Sequence, residues 1–289
     1  MNSFQEKMFK AVTYTASLFA IVVLLAIIFG VFREGLPLFK TVSWGRFLFT
    51  SDWYPTHAEP AFGAWALIAG SLCVTLGALV IAIPLGLGSA IFISEIAGSR
   101  LKELAKPVVE LLAGIPSVVY GLFGMAFLAP LVRQWFNLDT GLNLFTGSVI
   151  LGVMIVPIIC SMSEDALSSV PKSIREASLA LGATRVESVF RAVVPAAKSG
   201  IIGSILLGFG RAVGETMVVL MVTGGAARLP KSIFDSVRPL TSTIAAEMGE
   251  TVMGDIHYQS LFALAILLFV ITFVSNLVTE AIFLRRRGG

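Results

Sequence analysis

The chain has 289 residues, 56% of them hydrophobic and 13% charged, with a mean hydropathy of +0.89 and a formal net charge of +3. One water-facing core cannot hide that much apolar surface, so the ordinary soluble classes are excluded and the chain belongs in a bilayer. At about 20 residues per helical span the length allows roughly six helices. The short alternating segments of a β-barrel are not seen.

In chain order, spans are expected at about 11–32, 66–93, 108–132, 147–163, 199–223 and 260–284, within one membrane domain covering residues 1–289. Lys7 and Lys10 ahead of the first span raise the alternative of a signal peptide. The apolar run is longer than a usual signal core and no small-x-small cleavage site precedes a soluble domain, so the span is expected to stay. A mixed stretch follows, with Trp44, Trp53, Tyr54, Pro55 and Pro60; it suits an interfacial aromatic belt or a docking surface for a delivery protein. A short charged link with Arg100, Lys102, Glu103 and Lys106 leads to span three. There Gly114, Pro116, Gly121 and Gly124 loosen the helix, which at membrane depth is tolerated only where backbone is protein-buried or lines a cavity. Ser117 and Tyr120, three apart, would share a face, serving either helix packing or hydrogen bonds to an anion.

After span four comes a polar segment, about 164–198. Ser173 with Glu176 suggests a capping box, Gly182 an interruption, and Thr184 with Glu187 a second box. Val186, Val189, Phe190 and Val193 then form an apolar stripe, and Pro195 ends or bends the helix. Two short helices joined at a glycine suit a groove on a soluble partner.

Span five carries Arg211, which at mid-helix needs a partner or a watery cavity. Glu215, four residues on, would share its face. The two form either a structural pair or, when opened, a donor fork for an oxyanion beside a gating carboxylate. Gly210 and Gly214 make a G-x-x-x-G pair, which supports close helix packing. In the outward stretch 224–258, Ile233, Val237, Leu240, Ile244 and Met248 predict a short amphipathic or re-entrant helix.

Lys and Arg counts set orientation. Lys7, Lys10, Arg100, Lys102, Lys106, Lys172, Arg175, Arg185, Arg191, Lys198 and Arg285–Arg287 fall on one side, and Arg33, Lys40, Arg46, Arg133, Arg228, Lys231 and Arg238 on the other. Both termini and the 164–198 segment are therefore expected to be cytoplasmic. These basic flanks suit anionic membrane lipid rather than nucleic acid. Cys73 and Cys160 lie in apolar spans and His57 and His257 in outward stretches, so no disulfide framework or metal cluster follows from spacing. The two histidines are expected to be solvated loop residues.

No G-x-x-x-x-G-K-[ST] loop is present, so any ATP would be hydrolysed elsewhere. Glu176, Ala177, Gly182 and Pro195 resemble, at matching spacing, the E-A-A-x-x-x-G-x9-I-x-L-P coupling loop of ABC importer permeases. Ser178, Ala192 and Val194 depart from that pattern with small or apolar residues. The segments Ala113–Gly124 and Gly210–Thr216 are similar to those of the Pst phosphate-importer permeases. Arg33-Glu34-Gly35, Trp53-Tyr54-Pro55 and Phe62-Gly63 look closer to the PstC subunit than to PstA.

The resemblance implies an all-α, six-helix polytopic permease of the type I ABC importer fold in the bacterial cytoplasmic (inner) membrane, moving inorganic phosphate and catalysing nothing covalent. Its implied partners are a PstA-like second permease, two PstB-like ATPases that bind the ATP and Mg, and a PstS-like external phosphate-binding protein. No cofactor or metal is expected in this chain. The alternatives are another oxyanion such as molybdate or sulfate, or a non-transporting scaffold or phosphate-signalling component.

Overall fold

The computed structural model describes residues 3–284, which excludes the predicted terminal Arg285–Arg287 cluster. The unbroken apolar run near the N-terminus becomes α1 (Ser3–Gly35), whose C-terminal end packs on the last helix through an edge-on Phe32–Phe269 contact. A 3₁₀ turn and α2 (Trp44–Phe49), capped by Ser43 accepting from the Arg46 amide, lead to a hairpin of β1 (Trp53–Tyr54) and β2 (Ala61–Phe62).

Next come α3 (Trp65–Ile91), α4 (Ser99–Ala113), α5 (Ser117–Phe123), α6 (Ala129–Trp135) and α7 (Leu144–Ser168). The polar segment folds as α8 (Lys172–Ala180), α9 (Arg185–Ser188) and α10 (Val194–Ala196). The chain ends with α11 (Lys198–Gly214), α12 (Met217–Val222), α13 (Leu240–Glu247) and α14 (Ile256–Leu284). Widened helical turns at 92–96, 124–128 and 189–193 carry α3, α5 and α9 onward.

Among the described residues five helical stretches are long and apolar enough to cross a membrane, Glu6–Lys40, Trp65–Ile96, Ser117–Trp135, Leu144–Ser168 and Ile256–Leu277. The bent pair Arg185–Ala196 and Lys198–Gly214, at 70°, makes up to six. The architecture is thus a mostly helical, multi-pass membrane bundle with one short β-hairpin.

Two expected boundaries differ. The stretch 108–132 divides at Gly114–Pro116, and its first part joins the expected charged link in α4, whose Leu101, Leu104, Val108 and Leu111 are exposed along one side. The stretch 199–223 divides at Glu215, where the backbone leaves the helix with φ −69° and ψ 132°.

The centre of the bundle is α3 against α7. Small residues let their backbones meet: a Cβ on Gly152 would sit 2.9 Å from the Ala78 carbonyl oxygen. Around them Val74, Ala78, Leu151, Ile155, Ile159, Val218 and Val222 form the middle core. One end of the bundle is filled by Leu38, Phe47, Trp53, Phe62, Leu67, Leu240, Leu261 and Leu264. The opposite end holds Ala90, Ile93, Leu167, Val170, Val193, Ala197 and Ile201. The segments expected to face outward meet at the first end, and those expected to be cytoplasmic at the second.

Candidate functional site: a coupling loop, an elbow and a membrane cleft

The coupling segment is built around one glycine. After α8, the Ala183 amide donates to the Ser178 carbonyl and the Gly182 amide to that of Leu179, the paired bonds of a Schellman helix end. That ending needs a left-handed residue, and Gly182 supplies φ +89° with open space around it. Thr184 then starts α9 with the expected capping box: its hydroxyl accepts from the Glu187 amide at 3.3 Å, and Glu187 Oε2 accepts from the Thr184 amide at 3.0 Å.

The box expected at Ser173 and Glu176 is absent, because the N-cap falls at Pro171, two residues earlier, and α8 begins at Lys172. The expected apolar stripe also splits. Val189 and Val193 are buried in the core, whereas Val186 and Phe190 stay exposed beside Leu181, which is 89% exposed. Glu176, Ala177, Gly182 and Pro195 all lie on the exposed surface of this knob.

An ion-pair network fastens the knob, and the sequence pattern did not reveal it. Arg175 on α8 donates from Nη2 to Glu95 Oε1 at 2.6 Å and from Nε to Glu95 Oε2 at 3.1 Å. It also reaches the carbonyls of Val170 and Leu167. The Glu95 carboxylate holds the guanidinium pKa above its ordinary value. Beside it, Glu164 of α7, with its side chain 3% exposed, takes Lys102 and Lys106 of α4 at 2.9 Å each. Lys106 also meets Asp165, and these carboxylates push its pKa up. Carboxylates on the widened turn after α3 and on α7 thus hold two neighbouring helices, α8 and α4, at one end of the bundle.

The 70° elbow at Ala197 turns the coupling segment directly into α11, which carries Arg211. Arg211 lies 13 residues beyond Lys198, about 20 Å along the helix. It is exposed and has no ion pair or hydrogen bond among the described residues. The expected Arg211–Glu215 pairing is not formed. The helix stops at Gly214, so Glu215 leaves the i,i+4 register.

Glu215 is instead buried, with Oε1 accepting from the Met217 and Val218 amides at 3.1 and 3.3 Å. Its carbonyl accepts from Thr241 of α13 at 2.7 Å. The acid therefore holds a broken helix together.

Arg211, Gly210, Gly214 and Glu215 line a cleft of about 620 Å³ together with Ile158, Leu206, Leu207, Thr272 and Asn276. Among the described residues no helix packs on Gly210 or Gly214, where added Cβ atoms would meet nothing within 4 Å, so the G-x-x-x-G face is open there. Ser117 and Tyr120 do not line the cleft. The Tyr120 hydroxyl donates to the Leu112 carbonyl at 3.0 Å, bridging the break between α4 and α5. Ser117 opens α5, half-buried.

At the opposite end, Trp53 and His257 are buried rather than interfacial or solvated. Both reach Glu247 Oε2, at 3.1 and 2.9 Å, and Arg238 Nη1 pairs with Glu247 Oε1. His57 stacks on Tyr54. Val237 and Leu240 of the expected short helix are buried and Ile244 packs beside them, whereas Ile233 is exposed.

The profile of a family described as "Binding-protein-dependent transport system inner membrane component" matches residues 82–288. A probable ABC transporter permease protein, YqgH of Bacillus subtilis, is 42% identical over 84% of this chain and 78% of its own length. The phosphate transport system permease protein PstC of Mesorhizobium japonicum is 36% identical over 97% of this chain and 90% of its own.

Among solved structures, a chain of a bacterial alginate ABC transporter bound to a periplasmic protein aligns with TM-score 0.66 at 15% identity, covering 96% of each chain. A chain of the MetNI methionine ABC transporter aligns with TM-score 0.53 at 24% identity, over 76% of this chain and 94% of its own. At these identities the structural likeness speaks for the fold.

Proposed function

The chain belongs to the family of binding-protein-dependent transport inner membrane components and, within it, to the PstC permeases, and on that basis we propose that it forms one half of the path by which an ATP-driven importer carries inorganic phosphate across the bacterial inner membrane. A PstA-like permease supplies the other half, a PstS-like protein delivers phosphate from outside, and two PstB-like subunits hydrolyse ATP with Mg. The termini and the coupling knob face the cytoplasm, with Glu176, Ala177, Gly182 and Pro195 at the ATPase contact.

The observation that carries this reading is the unpartnered Arg211 in an open cleft, on the same helix that continues from the coupling elbow. A guanidinium kept at membrane depth without a carboxylate is stable only with water or an anion beside it. Its planar donors match two oxygens of phosphate. Movement of the ATPases against the knob passes through Arg175 to the end of α3 and through the elbow to α11. That route shifts the cleft between its two openings. Glu215 keeps the α11–α12 break in shape, and Ser117 and Tyr120 support the neighbouring broken helix.

The test is phosphate uptake by the full complex in vesicles. Arg211→Ala is expected to lower uptake by about 30-fold or more, the size of one lost charge-assisted contact, with assembly intact. Glu215→Gln keeps an acceptor for the α12 amides and is expected to cost several-fold at most. Full uptake in both variants would overturn the pathway reading. Uptake of sulfate or molybdate in place of phosphate would move the reading to another oxyanion.

A further inference from the structure

The cleft has a second polar wall, on α14. Asn276 lies 20 residues into that helix, about 30 Å from its outer end. The surrounding span has a mean hydropathy of 2.4. Asn276 is exposed and lines the cleft opposite the Arg211 helix. Its amide makes no hydrogen bond among the described residues. Thr272, one turn earlier on the same face, donates its hydroxyl to the Leu268 and Phe269 carbonyls, so its proton is already used within its own helix.

An amide that stays unbonded in hydrocarbon costs free energy that a packed apolar side chain would not, so this position needs a polar occupant. The space beside it is large enough for about 20 waters at about 30 Å³ each, which exceeds what an isolated tetrahedral oxyanion with a few waters requires. Arg211 supplies charge from one wall. The Asn276 amide supplies two donors from the other without adding charge.

We propose that Asn276 is a second substrate-contacting residue of the translocation path, a neutral donor that takes an oxygen of the passing oxyanion while Arg211 holds another. The inference rests on the pathway role of Arg211. A neutral donor adds a contact to the anion without adding charge to this wall of the cleft.

The test uses the complete complex in vesicles with phosphate-loaded binding protein, and counts phosphate imported per ATP hydrolysed. Asn276→Leu removes the donors. Asn276→Asp keeps the shape and places an anion beside the anion. Both are expected to assemble and to hydrolyse ATP near the wild-type rate, with imported phosphate per ATP down about tenfold or more, as for loss of a hydrogen bond to a charged group. The aspartate is expected to be the worse of the two.

An unchanged ratio in Asn276→Asp would overturn the proposal. So would losses of uptake matched by equal losses of assembly or hydrolysis, which would make Asn276 a packing residue. If Arg211→Ala and Glu215→Gln both transport normally, the pathway reading itself falls. If Arg211→Ala fails while both Asn276 variants transport normally, only the inference about Asn276 falls.

Discussion

Arg175 and Arg211 are the same side chain held in opposite ways. Arg175 spends its donors on both oxygens of Glu95 and on the carbonyls of Val170 and Leu167. Arg211 has no such partner and looks into an open cleft. A guanidinium whose donors are all taken by its own chain fixes a joint, because moving it would strand a carboxylate and two carbonyls. One left unpartnered at membrane depth is costly to the fold and keeps its donors for something that passes. On the proposed function, Arg175 belongs to the scaffold that carries motion, and Arg211 to the path that motion opens.

The sharpest way to break this contrast is to remove both charges and compare what is lost. Arg175→Ala leaves Glu95, whose side chain is 8% exposed, without its cation. Discounting the 3–5 kcal/mol of a fully buried broken pair for partial exposure of the arginine, about 2–3 kcal/mol of stability should go. The thermal midpoint of the detergent-solubilised complex should fall, and ATP hydrolysis should lose its response to loaded binding protein. Arg175→Lys should recover part of both, since one ammonium reaches one carboxylate oxygen but not the two carbonyls as well. Arg211→Ala should leave the midpoint in place or raise it, since the unpartnered guanidinium is costly to the fold. A lower midpoint in Arg211→Ala, or an unchanged one in Arg175→Ala, would reverse the two roles.

A smaller effect tests whether the knob's shape depends on its caps as well as on Arg175. Thr184→Ala removes the hydroxyl that accepts from the Glu187 amide, at about 1 kcal/mol for a lost N-cap. Faster hydrogen exchange should appear in the peptide covering residues 184–190, with uptake reduced less than in Arg175→Ala. Exchange unchanged across that peptide would mean that core contacts of Val189 and Val193 alone hold α9.

The parts of this arrangement set by local rules were legible in the sequence. A glycine between two amphipathic pieces, and Thr184 three residues before Glu187, specify a joint and a cap over a few residues. Features set by distant contacts were not. Trp53 suggested an interfacial belt because its partner, Glu247, lies 194 residues away. His257 suggested a solvated loop although Glu247 lies only 10 residues before it, because the two sit on separate helices and that spacing matches no helix period.

The Arg211–Glu215 pairing presumed an unbroken helix. The break depends on Glu215 capping α12 and on Thr241 of α13 binding the Glu215 carbonyl, neither of which periodicity encodes. At Ser173 the spacing of a capping box was right, but Pro171, with its fixed φ, starts the helix two residues earlier. Arg175 itself counted only as one more cytoplasmic charge, since Glu95 is far from it in sequence.

The smallest expected effect lies at the end of the bundle expected to face outward and asks whether a charge bonded only to backbone belongs with the scaffold. Asp235 accepts from the amides of Lys231 and Ser232 at 2.7 and 3.0 Å, and these bonds hold its pKa below the ordinary 3.8. A carboxyl depressed on folding adds stability above its unfolded pKa, and the gain is lost as pH falls through the lower folded value. The turn at 231–235 should therefore exchange its amide hydrogens slowly at neutral pH. Relative to the intrinsic exchange rate at each pH, protection should decline only below about pH 4. Asp235→Asn keeps one acceptor oxygen and should remove the pH dependence while preserving most of the protection. Because the side chain is exposed, uptake at neutral pH should not change. Loss of uptake in Asp235→Asn would place this outer turn with Arg211 among the groups the transported anion or its carrier must meet, rather than with Arg175.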